Sequence, residues 1–359
     1  MSPMRAFTYD ALPGRVVFGS GVARSGLLDE VDAFGAERIL LIARDAESEL
    51  VRELCGPFAD RVTATFSAIR PHVPIEVAER AREAAAGADL LLSIGGGSTT
   101  GTAKAVALTT GLPIVAVPTT YAGSEVTPVW GLTEGTRKTT GTDPRVLPRT
   151  VVYDPDLTLT LPAALSVASG LNAMAHCVEA FWAPRRNPVS SAVAEDGIRH
   201  LAAGLPAVAA DPAGRDARAD LLLGAYLAGS AFAVAGSGLH HKICHVLGGA
   251  FDLPHAQTHA IVLPHVLAFN SAAAPEAASR IAAALGRPDP AGALGDLGRA
   301  LGVPDGLREL GLREDGIETV LDEIVAVAPA DNPRPVTRAD LRTLLHAAWA
   351  GTDPVKENA

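Results

Sequence analysis

Six of the ten histidines crowd into one stretch of 26 residues: His240, His241, His245, His255, His259 and His265. Imidazole moves protons near neutral pH and is the commonest metal ligand, so the cluster points to proton transfer, metal binding or both. His241 and His245 stand four apart in an apolar, helix-permissive run, which puts both rings on one helical face. Gly248-Gly249 reads as a helix stop, and Pro254-His255 opens the next turn. His255 and His259 repeat the spacing of four, so two helix ends aim imidazoles at one place. A single histidine in an apolar helix is ordinarily a hydrogen-bonded core residue, and His240 and His265 taken singly read that way. Six of them, with Lys242 among them, exceed what packing requires.

A second polar pair, Asn172 and His176, lies in Ser169-Gly-Leu-Asn-Ala-Met-Ala-His176, again four apart among apolar neighbours. It reads either as a buried Asn–His hydrogen bond or as part of a site. A third element is Gly95-Gly96-Gly97-Ser98, between a buried strand and a helix. Glycines let backbone approach a phosphate closely, and a helix N-terminus offers N–H groups and the positive end of a dipole. The spacing is neither the Rossmann fingerprint nor a Walker loop. Pro118-Thr119-Thr120 ends the next strand, and ligands of open α/β sheets sit at such strand ends. Together the two loops suggest a dinucleotide pyrophosphate.

The elements that must position these groups come in two textures. Over the first 160 residues, apolar runs alternate with helical periodicity: strands at 39–43, 62–66, 88–94, 112–117 and 150–153, helices at 47–54, 75–86 and 99–108. Residues 5–18 alternate around Pro13-Gly14 and predict an opening hairpin or strand pair, and 128–141 predicts a hairpin excursion. This pattern predicts a doubly wound, largely parallel sheet over residues 1–160. Beyond residue 161, Ala/Leu-rich helical segments follow one another, and residues 161–359 predict an all-helical domain.

Composition sets the outer limits. A chain of 359 residues exceeds one comfortable core, and 48% hydrophobic with 19% charged residues fits a soluble globular enzyme. A net charge of −10 argues against nucleic acid and anionic membranes as partners, while a local basic pocket can still hold a small anion. Cys55, Cys177 and Cys244 are odd in number and widely spaced, which predicts buried apolar thiols in a reducing cytoplasm. The N-terminus has no apolar leader pattern, and no stretch approaches the roughly 20 apolar residues of a membrane span.

The order of these motifs resembles the iron-containing alcohol dehydrogenase family. The resemblance covers nearly the whole chain. It implies a dehydroquinate-synthase-like architecture: an N-terminal dinucleotide-binding α/β domain, a C-terminal helical domain and an active site in the cleft. Metal-dependent members carry Asp four residues before the first histidine ligand, where this chain has Asn172. The remaining ligand positions match His176, His241 and His255, and His245 matches the histidine near the nicotinamide. The runs Pro118–Gly131, Lys138–Gly141, Ser169–His176, Leu239–His245 and Leu253–Ala260 resemble the branch of that family that reduces maleylacetate. Gly101 fits this branch, where dehydrogenases carry Asp.

That branch implies NADH- or NADPH-dependent reduction of the carbon–carbon double bond of maleylacetate to 3-oxoadipate in aromatic-compound breakdown. The site expected from it has His241 and His245 as catalytic residues. Asn172, His176, Lys242 and His255 would hold the small dicarboxylate substrate. Gly95, Gly96, Gly97, Ser98, Thr119, Thr120, Ser124 and Arg44 would hold the cofactor. Arg44 could meet a 2′-phosphate, whereas Asp45 suits free ribose hydroxyls, so NADH and NADPH both stay open. With Asn172 in the carboxylate position, no metal ligand set is assigned and no divalent metal is expected to be required. A homodimer is expected by family analogy. Two other readings stay open: a metal-dependent alcohol or polyol dehydrogenase using His176, His241 and His255, and a non-catalytic dinucleotide-binding sensor.

Overall fold

Short apolar runs become the strands of one parallel sheet. The computed structural model of the protein describes residues 7–12, 14–135 and 137–354. In chain order the first part runs β1 (Arg15–Phe18), α1 (Val22–Asp32), β2 (Ile39–Ile42), α2 (Ser48–Cys55), β3 (Val62–Phe66), α3 (Ile75–Ala84), β4 (Leu90–Gly95), α4 (Gly97–Thr110), β5 (Ile114–Pro118), β6 (Val129–Glu134), β7 (Arg137–Thr142) and β8 (Thr150–Tyr153). The six-stranded sheet has the order β1-β8-β5-β4-β2-β3, parallel throughout, and β6 and β7 form the separate antiparallel hairpin. β2, β4, β5 and β8 are buried along their whole length, as continuous Leu/Ile/Val runs require when both faces are covered.

The helical part follows as α5 (Ala163–Glu179), α6 (Pro188–Ala210), α7 (Arg215–Ala235), α8 (Leu239–Phe251), α9 (His255–Ser271), α10 (Pro275–Leu285), α11 (Pro290–Ala300), α12 (Glu314–Val327) and α13 (Arg338–Ala350). The chain divides into two compact units, Leu12–Pro162 with Ala213–Leu222, and Met1–Ala11 with Ala163–Pro212 and Leu223–Ala359. In the helical unit α5 packs on α6 and α9, and α8 packs on α9 and α12. Its core gathers Leu239, Ile243 and Leu247 of α8 with Val262, Val266, Ile317, Leu321 and Leu345.

Two sequence expectations need correction, and one helix was not foreseen. The opening hairpin is absent among the described residues: β1 is a single strand pairing in parallel with β8, and residues 7–12 are irregular, while residues 5, 6 and 13 lie outside the described set. Val22–Asp32, which carried no expectation, is a helix that buries Ala23, Leu27 and Val31. Gly248-Gly249 does not stop α8. The helix continues to Phe251 and ends at Asp252 in the left-handed region, with φ 51°. Nothing crowds either glycine, so the pair costs the helix only its propensity, about 1 kcal/mol each, and the packed Leu247 side holds the turn.

By length and composition α7 could cross a membrane, but half of its apolar window is buried. Its Arg218 is fully buried and donates to the Tyr121 hydroxyl at 3.1 Å and the Leu161 carbonyl at 2.9 Å. That is the pattern of a core helix.

Lys104 on α4 is 1% exposed. Its Nζ donates to the carbonyls of Ser124, Thr127 and Val129 and to Oγ1 of Thr127, at 2.5 to 3.0 Å. The segment that leads into β6 is thereby tied to α4.

Candidate active site

In the sheet unit, the two glycine- and threonine-bearing loops lie side by side. The register pairs Gly95 at the end of β4 with Pro118 at the end of β5, and Thr119 N–H donates to the Gly95 carbonyl at 3.1 Å. Gly95 has φ +145°, open to glycine and rarely to other residues, and a Cβ there would meet Oγ1 of Thr99 at 2.5 Å. A Cβ on Gly96 would meet Cγ2 of Thr120 at 3.0 Å. Gly96, Gly97, Ser98, Thr119, Thr120 and Ser124 are all partly exposed. They line the C-terminal ends of two adjacent strands, with the α4 N-terminus beginning at Gly97. Such an edge suits a pyrophosphate.

Arg44 follows β2, the other neighbour of β4. It is exposed, and its backbone N–H donates to Glu47 at 2.7 Å. Gly101 has a packing reason of its own: a Cβ there would meet the Val73 side chain at 2.9 Å, so the position has no room for a larger residue unless Val73 moves.

In the helical unit the histidines form one connected set of rings. His241 stacks on His176 at 4.9 Å and stands edge-on to His259 at 4.9 Å, to His240 at 5.2 Å and to His245 at 6.0 Å. His259 meets His240 at 4.7 Å and His255 at 4.2 Å, and His245 stacks on His255 at 6.4 Å. His240, His241 and His259 are buried, while His245 and His255 are exposed. The i, i+4 pair His241/His245 therefore runs from the interior to the surface along one face of α8. Lys242 is half-buried on the same helix. His265 is buried further along α9 and falls outside this ring set; burial pushes its pKa down to about 4.

Glu179, at the C-terminal end of α5, organises the cluster and was missed in the sequence. Its carboxylate accepts N–H bonds from Gly238 at 3.0 Å, His240 at 2.6 Å and His241 at 3.3 Å, which are N–H groups of the first turn of α8 that helix geometry leaves unpaired. The same carboxylate binds Nδ1 of His241. Gly238 is the only residue type that fits: a Cβ there would meet Oε1 of Glu179 at 2.6 Å. Burial pushes the Glu179 carboxyl up, opposed by nearby His240 and by the backbone N–H groups. Burial and the surrounding histidines hold His241 well below the ordinary histidine range, and His176 is pushed down to about 3 by burial.

These bonds fix tautomers. A carboxylate that already accepts three backbone N–H groups takes the Nδ1 proton of His241, which leaves the lone pair on Nε2. That Nε2 is buried without a hydrogen-bond partner. His240 Nε2 donates to the His259 carbonyl at 3.0 Å, which leaves its lone pair on the unpartnered Nδ1. His259 has no partner at either ring nitrogen. Oδ1 of Asn172 and Nδ1 of His176 are also buried and unpartnered.

The family's four ligand positions fit an ion poorly. Asn172 presents a neutral oxygen where a carboxylate would offset charge, and exposed His255 packs against His245 and His259. The one buried carboxylate nearby, Glu179, is committed to α8 and to His241.

Glu179 escaped the sequence reading, and His259 was placed in the cluster but given no role. Glu179 had a signal: a lone acid three residues after His176 in an otherwise apolar helix. His259 was visible by spacing only, and nothing in the sequence showed that it sits at the centre of the cluster.

The chain was compared with known proteins. Residues 13–155 match the family described as iron-containing alcohol dehydrogenase, and residues 166–349 match the C-terminal part of the Fe-containing alcohol dehydrogenase family. A maleylacetate reductase from Burkholderia cepacia is 48% identical over 353 residues, 98% of this chain and 100% of that one. A maleylacetate reductase from Sphingobium indicum is 48% identical over 97% of this chain and 99% of that one. Among solved structures, an iron-containing alcohol dehydrogenase from Corynebacterium glutamicum is 50% identical, with TM-score 0.94 over 98% of this chain and 99% of that one. The maleylacetate reductase from Agrobacterium tumefaciens is 42% identical, with TM-score 0.93 over 98% of this chain and 100% of that one.

Proposed function

The chain belongs to the iron-containing alcohol dehydrogenase family, and on that premise we propose that it reduces the carbon–carbon double bond of maleylacetate to 3-oxoadipate with NADH or NADPH. The reading rests on near-full-length identity of 48% to reductases named for that substrate. Asn172 in the family's carboxylate position agrees with it.

The chemistry asks for a hydride donor, a means of holding negative charge and a proton. The nicotinamide, when bound, would supply the hydride for the alkene carbon β to the ketone. Charge develops on the ketone oxygen, and a proton reaches the adjacent carbon, so hydride and proton together saturate the double bond. Gly95, Gly96, Gly97 and Ser98 would hold the pyrophosphate of the cofactor, with Thr119, Thr120 and Ser124 beside them, and Arg44 would serve its adenosine ribose. His245 and His241 handle the proton. At rest His241 is neutral; a proton taken from solvent and passed by exposed His245 to Nε2 gives an imidazolium paired with Glu179, which donates to the oxyanion as the enolate forms, and the proton lost to the substrate carbon is replaced from solvent. Asn172, His176, Lys242 and His255 hold the dicarboxylate. Losing a carboxylate at position 172 makes an anionic substrate easier to hold, and no step is assigned to a metal.

By family analogy the working form is a cytoplasmic homodimer in aromatic-compound breakdown, with no nucleic-acid or membrane partner. A second reading, a metal-dependent alcohol dehydrogenase, draws on the 50% identity to the Corynebacterium glutamicum protein. An assay separates the two. NADH and NADPH oxidation is followed with maleylacetate and with simple aldehydes and ketones, before and after chelation. Turnover of maleylacetate alone is expected, and aldehyde turnover that depends on added Fe²⁺ or Zn²⁺ overturns the proposal.

A further inference from the structure

We propose that His240, His241 and His259 form a site for one divalent transition-metal ion, displaced from the ligand positions of the family. One ring nitrogen from each lies within 4.8 Å of one from each of the others, and all three side chains are buried. Each ring also carries a nitrogen without a hydrogen-bond partner: Nε2 of His241, Nδ1 of His240 and both nitrogens of His259. Nδ1–H of His241 donates to Glu179 and Nε2–H of His240 donates to the His259 carbonyl, so each ring keeps its other nitrogen bare and without a partner. Histidine ligands are ordinarily oriented in this way, with the second nitrogen bonded to a carboxylate or a backbone carbonyl.

Nitrogens that carry lone pairs repel an anion, so a substrate carboxylate is a poor occupant. They suit a cation, or a water that donates twice. Three imidazoles match the borderline ions Zn²⁺, Co²⁺ and Fe²⁺ and leave a fourth position open. Glu179, bonded through His241, supplies the one negative charge that partly offsets the ion. The set shares only His241 with the family positions and leaves out Asn172, His176 and His255. An ion there occupies the Nε2 lone pair that the proposed reduction uses, so occupancy and turnover exclude each other. The site stands on the ring geometry and is independent of which substrate is reduced.

The test uses the full-length chain, stripped with chelator and titrated with Co²⁺. Visible d–d absorption is recorded, and Zn²⁺ retained after gel filtration is measured by plasma mass spectrometry. One ion per chain is expected, with affinity reduced at least about 10- to 100-fold, the usual loss when only an outer partner of a ligand is removed, in His259→Gln and His240→Gln, and unchanged in His255→Gln. A variant-free measurement runs beside it: anomalous diffraction from wild-type crystals soaked in Zn²⁺ is expected to show a peak among the three rings. Binding that survives His259→Gln but fails in His176→Gln and His255→Gln places the ion on the family positions and overturns the proposal. So does an anomalous peak at those positions, or no stoichiometric binding at all, which leaves a buried water as the occupant. Reduction of maleylacetate is assayed separately on the stripped chain, so failure of either reading leaves the other standing.

Discussion

The carboxylate of Glu179 and Nδ1 of His241 are bonded to each other inside the helical unit, with 0% and 5% of the two side chains exposed. The bond sits at the N-terminus of α8, so one acid both seats the helix and sets the tautomer of the histidine.

Glu179→Gln tests this double role. The amide has nearly the same shape but loses the charge, and its NH₂ must face backbone N–H donors. Turnover is expected to fall about 10- to 100-fold, the usual effect of removing the acid that orients a working histidine, with NADH affinity little changed. Equal turnover across a pH series from 6 to 9 would show that the acid serves only the helix.

Gly238→Ala attacks the same contact from the other side. Its Cβ would lie 2.6 Å from Oε1 of Glu179. The carboxylate must move, at a cost of about 1–3 kcal/mol, typical of overpacking. Denaturant unfolding measures it, and an unchanged midpoint would mean that Glu179 shifts freely.

His241→Ala is expected to lower kcat about 10²–10³-fold while NADH binding and far-UV circular dichroism stay as in the wild type. His265→Ala, outside the ring set, is expected to lower stability more than turnover. Wild-type kcat in His241→Ala moves the proton chemistry to His245 or His255.

Gly96→Val is expected to weaken NADH at least tenfold. Its branched side chain meets Thr120, which a Cβ alone approaches at 3.0 Å, and also covers the strand-end edge. Undiminished affinity in the folded variant removes the pyrophosphate from this loop.

Acid should destabilise the protein through its buried histidines. His176 is lowered to about 3 and His265 to about 4 by burial, against an unfolded value of 6.5. Between these limits the unfolded chain binds more protons than the folded one. The stability from burying the rings neutral is full above pH 6.5 and is lost as pH falls toward 4, by up to about 1.4 kcal/mol per pH unit per ring. Unfolding free energies at pH 7, 6 and 5 should therefore decline, with a shallower slope in His265→Gln. A flat profile would contradict the burial.

Much of this was legible in the sequence where one physical pressure dominates. Ile39–Ile42 and Leu90–Gly95 are read correctly because a strand covered on both faces must be apolar throughout. The His241/His245 face follows from helical periodicity alone. Gly248-Gly249 misleads because propensity is a weak term against packed Leu247, and Phe7 to Leu12 alternate without a partner strand. Glu179 and His259 act through residues 60 or more positions away or through a neighbouring helix, and spacing carries no record of such contacts. Pairing Gly95 with Pro118 was within reach, since both end consecutive buried strands.

Lys104, with its ammonium among three peptide carbonyls and a threonine hydroxyl, is solvated much as a small monovalent ion would be, the protein standing in for the hydration shell. The ion is tethered by its own side chain, so it cannot exchange with the medium. Bulk salt therefore has no purchase on it, and the Ser124–Val129 segment keeps its shape at ionic strengths that would loosen a surface ion pair. A residue that looks like a buried charge is then better described as a captive counter-ion for backbone dipoles.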